Sequence, residues 1–148
     1  MSQKIQLEIV SSTEAPFKAS ITQLYIPAYL GETGILGDHK PYVSLLQPGE
    51  VFYTDIQGKN CYLYIHDGFV EANDNNVVLI SDTVERGENL VRAEVEAKLA
   101  DLEKLIQSLS GKDMSDEEMK DAPAKIEAAI KEQKEFQTKL NILNKQDA

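Results

Sequence analysis

The chain has 148 residues, 42% hydrophobic and 27% charged, which is enough apolar mass for a packed core and excludes disorder throughout. Lysine and arginine number 15 against 25 aspartates and glutamates, a formal charge of −10 that argues against nucleic acid, or anionic lipid bound by charge alone, as the main partner. A single cysteine, Cys61, excludes an internal disulfide framework and a cysteine-built zinc site, and no apolar run approaches the roughly 18 residues of a membrane span.

The first half is written in strands and turns. Every aromatic residue except Phe136 lies there, with most of the Gly and Pro. Ile5, Leu7 and Ile9 share one face of a first strand. A second is predicted over Ile21 to Ile26, stopped by Pro27, and a third over Val51 to Ile56, after the turn signal Pro48-Gly49. A fourth runs from Asn60 to His66 and turns at Asp67-Gly68. Phe69 to Ala72 and Val77 to Ser81 flank Asn73-Asp74-Asn75-Asn76, whose side chains suit a tight hairpin turn. Short strands at close spacing point to a sandwich or a barrel. The absence of βα alternation disfavours a Rossmann-like domain.

From about Asn89 the period becomes helical. Val91, Val95, Leu99, Leu102, Ile106 and Leu109 step by four and three, with Asn89 placed to cap the start and Gly111 to end it. The polar stretch that follows holds Ser115 and Glu118 at capping-box spacing, and Pro123 predicts a break. The main second helix is therefore expected from about Pro123 to Asn144, striped by Ala122, Ile126, Ala129, Gln133, Phe136, Leu140 and Leu143. Two helices of about 22 residues, roughly 33 Å each, fit an antiparallel hairpin. The expected domains are 1–86 and 87–148, with a linker over about 110–123.

Catalytic chemistry is sparse. The glycine-punctuated run Gly31 to Gly37 lacks the Gly-Lys-Ser/Thr ending of a phosphate loop, and there is no Gly-x-Ser-x-Gly elbow. Asp38-His39 and His66-Asp67 would form a metal site only if two loops met, and each reads as an ordinary turn or strand-end pair. Cys61, near Tyr62 and Tyr64, reads as a small core residue. No catalytic, cofactor or metal residue is expected.

The stretch Gly31-Glu32-Thr33-Gly34-Ile35-Leu36-Gly37-Asp38-His39-Lys40-Pro41 resembles the Gly-Glu-x-Gly-Ile-Leu-Pro-Gly-His-x-Pro segment of the epsilon subunits of F-type ATP synthases. The likeness continues through Leu46-Gln47-Pro48-Gly49, Asp67-Gly68-Phe69-Val70-Glu71 and Asn76-Val77-Val78-Leu79-Ile80-Ser81-Asp82-Thr83, in order, over roughly residues 3–93. Gly37-Asp38 departs from the family's Pro-Gly. The resemblance implies an N-terminal antiparallel β-sandwich followed by a C-terminal antiparallel two-helix hairpin. It implies a non-catalytic subunit of the rotating central stalk, which couples c-ring rotation to the catalytic head of a proton-translocating enzyme. Its partners would be the gamma subunit and the c-ring, with the alpha/beta head joined when the hairpin extends and blocks hydrolysis. The chain would sit, without spanning, at the cytoplasmic face of a bacterial inner membrane, or on the stromal side of a thylakoid.

Residue by residue, the resemblance places Gly31, Glu32, Gly34, His39 and Pro41 in a loop that meets the c-ring and gamma. Lys131, Lys134, Lys139 and Lys145 match basic residues that contact the catalytic head. Six lysines and seven acids between Glu117 and Ala148 nearly cancel, so these lysines otherwise read as a solvated face. Some members bind ATP through an Ile/Leu-Asp-x-x-Arg-Ala segment. Here Arg92-Ala93 fits, Asn89 replaces the aspartate, and no later arginine follows, so Arg92 is a weak ATP candidate. Two other readings are a nucleotide sensor working through the hairpin and an unrelated sandwich adaptor with a coiled coil.

Overall fold

The computed structural model describes residues 4–13, 15–37, 40–110 and 116–147. They form β1 (Ile5–Ser11), β2 (Phe17–Ala28), β3 (Gly31–Leu36), β4 (Tyr42–Leu46), β5 (Gly49–Asp55), β6 (Asn60–Ile65), β7 (Gly68–Asn73), β8 (Asn76–Ser81), β9 (Val84–Arg86), a 3-10 turn (Gly87–Asn89), α1 (Arg92–Leu109) and α2 (Asp116–Gln146). Two compact units divide between Asn89 and Leu90, three residues beyond the expected boundary.

The first unit is a sandwich built around β2. Its N-terminal half pairs antiparallel with β1, and its C-terminal half pairs with β3 and β5. The two pairings meet where the register to β5 shifts between Ile21 and Gln23. A bulge there lets one strand serve two layers. It also explains the buried set on β2. Ile21, Leu24, Ile26 and Ala28 are inside, a step of three followed by steps of two, because the extra residue reverses the phase of the alternation. One layer continues as β3-β2-β5-β6-β9 and the other as β4-β7-β8-β1-β2. Pairings are antiparallel except that of β1 with β8. Ile5, Leu7 and Ile9 point inward with Val51, Leu63, Ile65, Val70, Val77 and Leu79, and Cys61 packs against this core at its edge.

The strand expectations hold with three differences. The second strand is twice as long as predicted and does not stop at Pro27. Proline lacks only the N–H, and the Pro27 carbonyl still accepts from the Gln47 amide at 2.8 Å, so the strand passes through. Residues 31–36, read as part of a loop, form β3. Their glycines hid the alternation that buries Ile35 and exposes Glu32 and Leu36. β4 and β9 also went unread: β9 has only three residues, and the exposed Val43 and Leu45 put apolar side chains on both faces of β4, which hides its alternation. The Asn/Asp hairpin does turn as predicted, with Asp74 at φ 54° between β7 and β8.

The second unit is a pair of antiparallel helices. Lys98 Nζ of α1 reaches Glu132 Oε1 of α2 at 3.0 Å, and Val95, Leu102, Ala122, Ala129, Ile142 and Leu143 are buried. α1 starts one residue after Val91, whose side chain makes no capping bond, while Asn89 lies in the preceding 3-10 turn and caps nothing. The expected break at Pro123 is absent, and α2 runs 31 residues through it. The carbonyl left without a donor is that of Met119, an exposed residue where water can take the missing role. Gly111 and Ser115 lie outside the described residues. No described helix is long and apolar enough to cross a membrane.

Candidate functional site

The most distinctive surface lies where β2 turns into β3. A two-residue turn, Tyr29-Leu30, joins Ala28 to Gly31. Polar residues usually occupy such a turn. Here Leu30 is 96% exposed and Tyr29 64%. Gly31 has φ 129°, a conformation that a side chain would strain, so the turn depends on glycine. The turn is pinned from behind, because the Tyr29 amide donates to the Leu45 carbonyl at 2.9 Å and the Gln47 side-chain amide donates to the Tyr29 carbonyl.

Pinning brings β4 alongside. Val43 and Leu45, 61% and 62% exposed, line a shallow cavity of about 290 Å³ with Tyr29, Leu30 and Tyr42. On the other side Gly31 and Glu32 share a second cavity of about 240 Å³ with Gln47, Pro48 and Glu50. One end of the sandwich therefore carries an exposed apolar group bordered by carboxylates. Contiguous exposed apolar groups of this kind mark surfaces where another molecule binds.

Of the residues predicted to meet partners, Gly31 and Glu32 lie within this group. Gly34 follows on β3, where the Tyr25 ring occupies the space a Cβ would need, 2.9 Å away. Pro41 is exposed just before β4. His39 and Asp38 lie outside the described residues. The reading from sequence missed Tyr29, Leu30, Val43 and Leu45. Two apolar residues directly before Gly31, in a turn, were the available signal.

The other candidates separate. His66 faces Glu85, with Nε2 3.4 Å from Oε2, and its ring stands nearly perpendicular to that of Tyr64, with the ring centres 5.1 Å apart. Arg92 is engaged within its own unit. One guanidinium nitrogen donates to Asn144 Oδ1 at 3.0 Å, the other to Asp147 Oδ2 at 2.7 Å, and Glu96 is 3.6 Å away. The bond to Asp147 raises the proton affinity of the guanidinium further. Lys131, Lys134 and Lys145 are exposed, as a solvated face requires. Lys139 departs from that expectation. It is only 4% exposed, donates to Glu135 Oε2 at 2.8 Å and lies 4.4 Å from the centre of the Phe136 ring. A lysine four residues after a glutamate, beside an aromatic face, can be buried because both neighbours offset its desolvation.

This architecture is that of the ATP synthase delta/epsilon chain β-sandwich domain, whose family model matches residues 4–87. The ATP synthase epsilon chain of Dichelobacter nodosus is 35% identical over 75% of this chain and 78% of its own length. That of Nitrosococcus oceani is 30% identical over 76% and 80%. A chain in the Euglena gracilis mitochondrial ATP synthase shares the fold, with a TM-score of 0.62 and 23% identity over 71% of this chain and 67% of that one. The chain belongs to the ATP synthase epsilon chain family.

Proposed function

We propose that this chain, as a non-catalytic central-stalk subunit, docks on the gamma subunit and the c-ring of its ATP synthase through the β2–β3 turn and the exposed side of β4. The observation that carries the reading is the apolar group Tyr29, Leu30, Val43 and Leu45 beside Glu32 at one end of the sandwich. A rotor part must transmit torque without deforming, and a turn pinned to a closed sandwich is a rigid tooth. Glu32 and Glu50 give the rim a charge that selects a neutral or basic counterpart. The role sits at the cytoplasmic face of a bacterial inner membrane, and the helical pair supplies inhibition of hydrolysis when it extends. The chain contributes no reacting group of its own.

Leu30→Asp together with Val43→Asp is the test. Both side chains are exposed, so folding is expected to be unchanged. Binding to the gamma–c-ring complex should weaken by about a hundredfold, the scale of losing a buried hot spot. Binding equal to that of the unmodified chain would show that this end of the sandwich is not the docking surface.

A further inference from the structure

We infer that the outer edge of β3 is a strand-addition site, on which an extended, neutral or basic segment of the gamma subunit pairs by backbone hydrogen bonds. The inference rests on the docking surface proposed above and names a second, different mode of contact beside it.

The hydrogen-bonding parity follows from the register. In a two-residue hairpin the residues flanking the turn, Ala28 and Gly31, form a hydrogen-bonded pair. Alternation then bonds Ile26 to Thr33 and Leu24 to Ile35, while Pro27–Glu32, Tyr25–Gly34 and Gln23–Leu36 are non-bonded pairs. The independent bonds of β2 agree, since the Pro27 carbonyl is turned away from β3 to accept from Gln47. The N–H and C=O groups of Glu32, Gly34 and Leu36 therefore point away from β2. Among the described residues no strand other than β2 pairs with β3, and all three of these residues are exposed.

Edge strands are usually guarded by lysine, proline, a bulge or a covering element. β3 reads Gly-Glu-Thr-Gly-Ile-Leu. It holds one charge and no proline, its register to β2 is regular, and Leu36 is 53% exposed. An unguarded edge that begins at the docking turn is continuous with the surface the stalk is proposed to cover. Edge-to-edge pairing with a second copy is opposed by charge, because it would bring two Glu32 carboxylates towards one edge between molecules of net charge −10. A neutral or basic strand meets no such opposition, and backbone pairing of this kind supplies affinity without demanding a particular side-chain sequence.

The test is amide hydrogen exchange on the full chain, alone and bound to the purified gamma subunit of the same synthase. The amides of Glu32, Gly34 and Leu36 should exchange rapidly in the free chain and slow at least about tenfold in the complex, since exchange reports opening of a hydrogen bond. Leu36→Pro removes one outward donor and none of the bonds to β2, whereas Leu36→Thr keeps the donor. The proline variant should bind gamma several-fold more weakly than the threonine variant, with both melting at similar temperatures. If gamma binds and the three amides still exchange as in the free chain, or if the two variants bind equally, strand addition is wrong and the turn docks by side chains alone. If gamma does not bind the unmodified chain, the docking surface and the strand addition both fall.

Discussion

At the scale of single residues, the two that draw attention in the sequence, Arg92 and Cys61, act through their neighbours. Arg92 has its planar fork filled by Asn144 and Asp147, with Glu96 close by. A nucleotide phosphate would have to displace two partners and approach two carboxylates. Titration of the chain with ATP is accordingly expected to show no saturable heat, and Asp147→Asn should not create any. Saturable binding that is lost in Arg92→Gln would overturn this. Cys61 pairs across the strands with Tyr53, and burial, with a smaller contribution from the Cys61 thiol, pushes the Tyr53 phenol well above its ordinary value near 10.0. The folded state then holds that proton more tightly than the unfolded state. Its contribution to stability is complete below about pH 10 and is lost as the pH rises above that value. Tyr53→Phe should lose less stability than the unmodified chain between about pH 9 and 11, as measured by urea unfolding. Equal losses would mean that other groups set the alkaline limit.

At the scale of elements, period was legible and interruptions were not. The face of β1 follows from spacing alone, because Ile5, Leu7 and Ile9 are buried where alternation puts them. Of the stripe expected for α1, Val95 and Leu102 are buried and Leu99, Ile106 and Leu109 half-buried, whereas Val91 lies just before the helix and is exposed. Proline misled twice, as a stop for β2 and as a break in α2. A local rule counts the donor that proline lacks and cannot see that the carbonyl left behind meets a neighbouring strand or water. The bulge in β2 was invisible for a related reason, since it satisfies two layers that exist only in the folded sandwich. β3 was concealed by Gly31 and Gly34, of which one serves the turn and the other makes room for Tyr25. Because Pro123 is exposed and internal to α2, restoring its N–H should strengthen the helix. Pro123→Ala is expected to stabilise the helical unit by about 1 to 3 kcal/mol, read from its thermal transition by circular dichroism. An unchanged or lower transition would place a structural demand on the proline that its neighbours do not reveal.

At the scale of the whole molecule, the two units differ in how they are held together. The sandwich has a continuous core of aliphatic side chains from both layers. In the helical unit α1 contributes only Val95 and Leu102 as buried apolar residues, and the ends of the pair are joined by the Arg92 bonds. A large core confers independent folding, whereas a thin one leaves an element near a conformational threshold. Residues 1–89 should therefore fold alone and keep docking on the stalk, since the turn, β3 and β4 all lie within them. Inhibition of hydrolysis, if it requires the helices to move, should belong to the full chain. Adding back either form to a catalytic complex stripped of this subunit separates the two roles, with only the full chain expected to slow hydrolysis. Replacing Lys131, Lys134 and Lys145 by Ala should reduce that inhibition far less than removing residues 90–148, because seven acids offset the six lysines of the segment from Glu117 onward. Lys139 is best left in place, since its removal would strip Glu135 and Phe136 of a buried partner and confound charge with packing. If the triple variant fails to inhibit while the truncated chain still docks, the helices act by charge against an acidic surface. Slowing of hydrolysis by both the truncated and the full chain would instead locate inhibition in the sandwich, and the helical pair would have to be assigned another role.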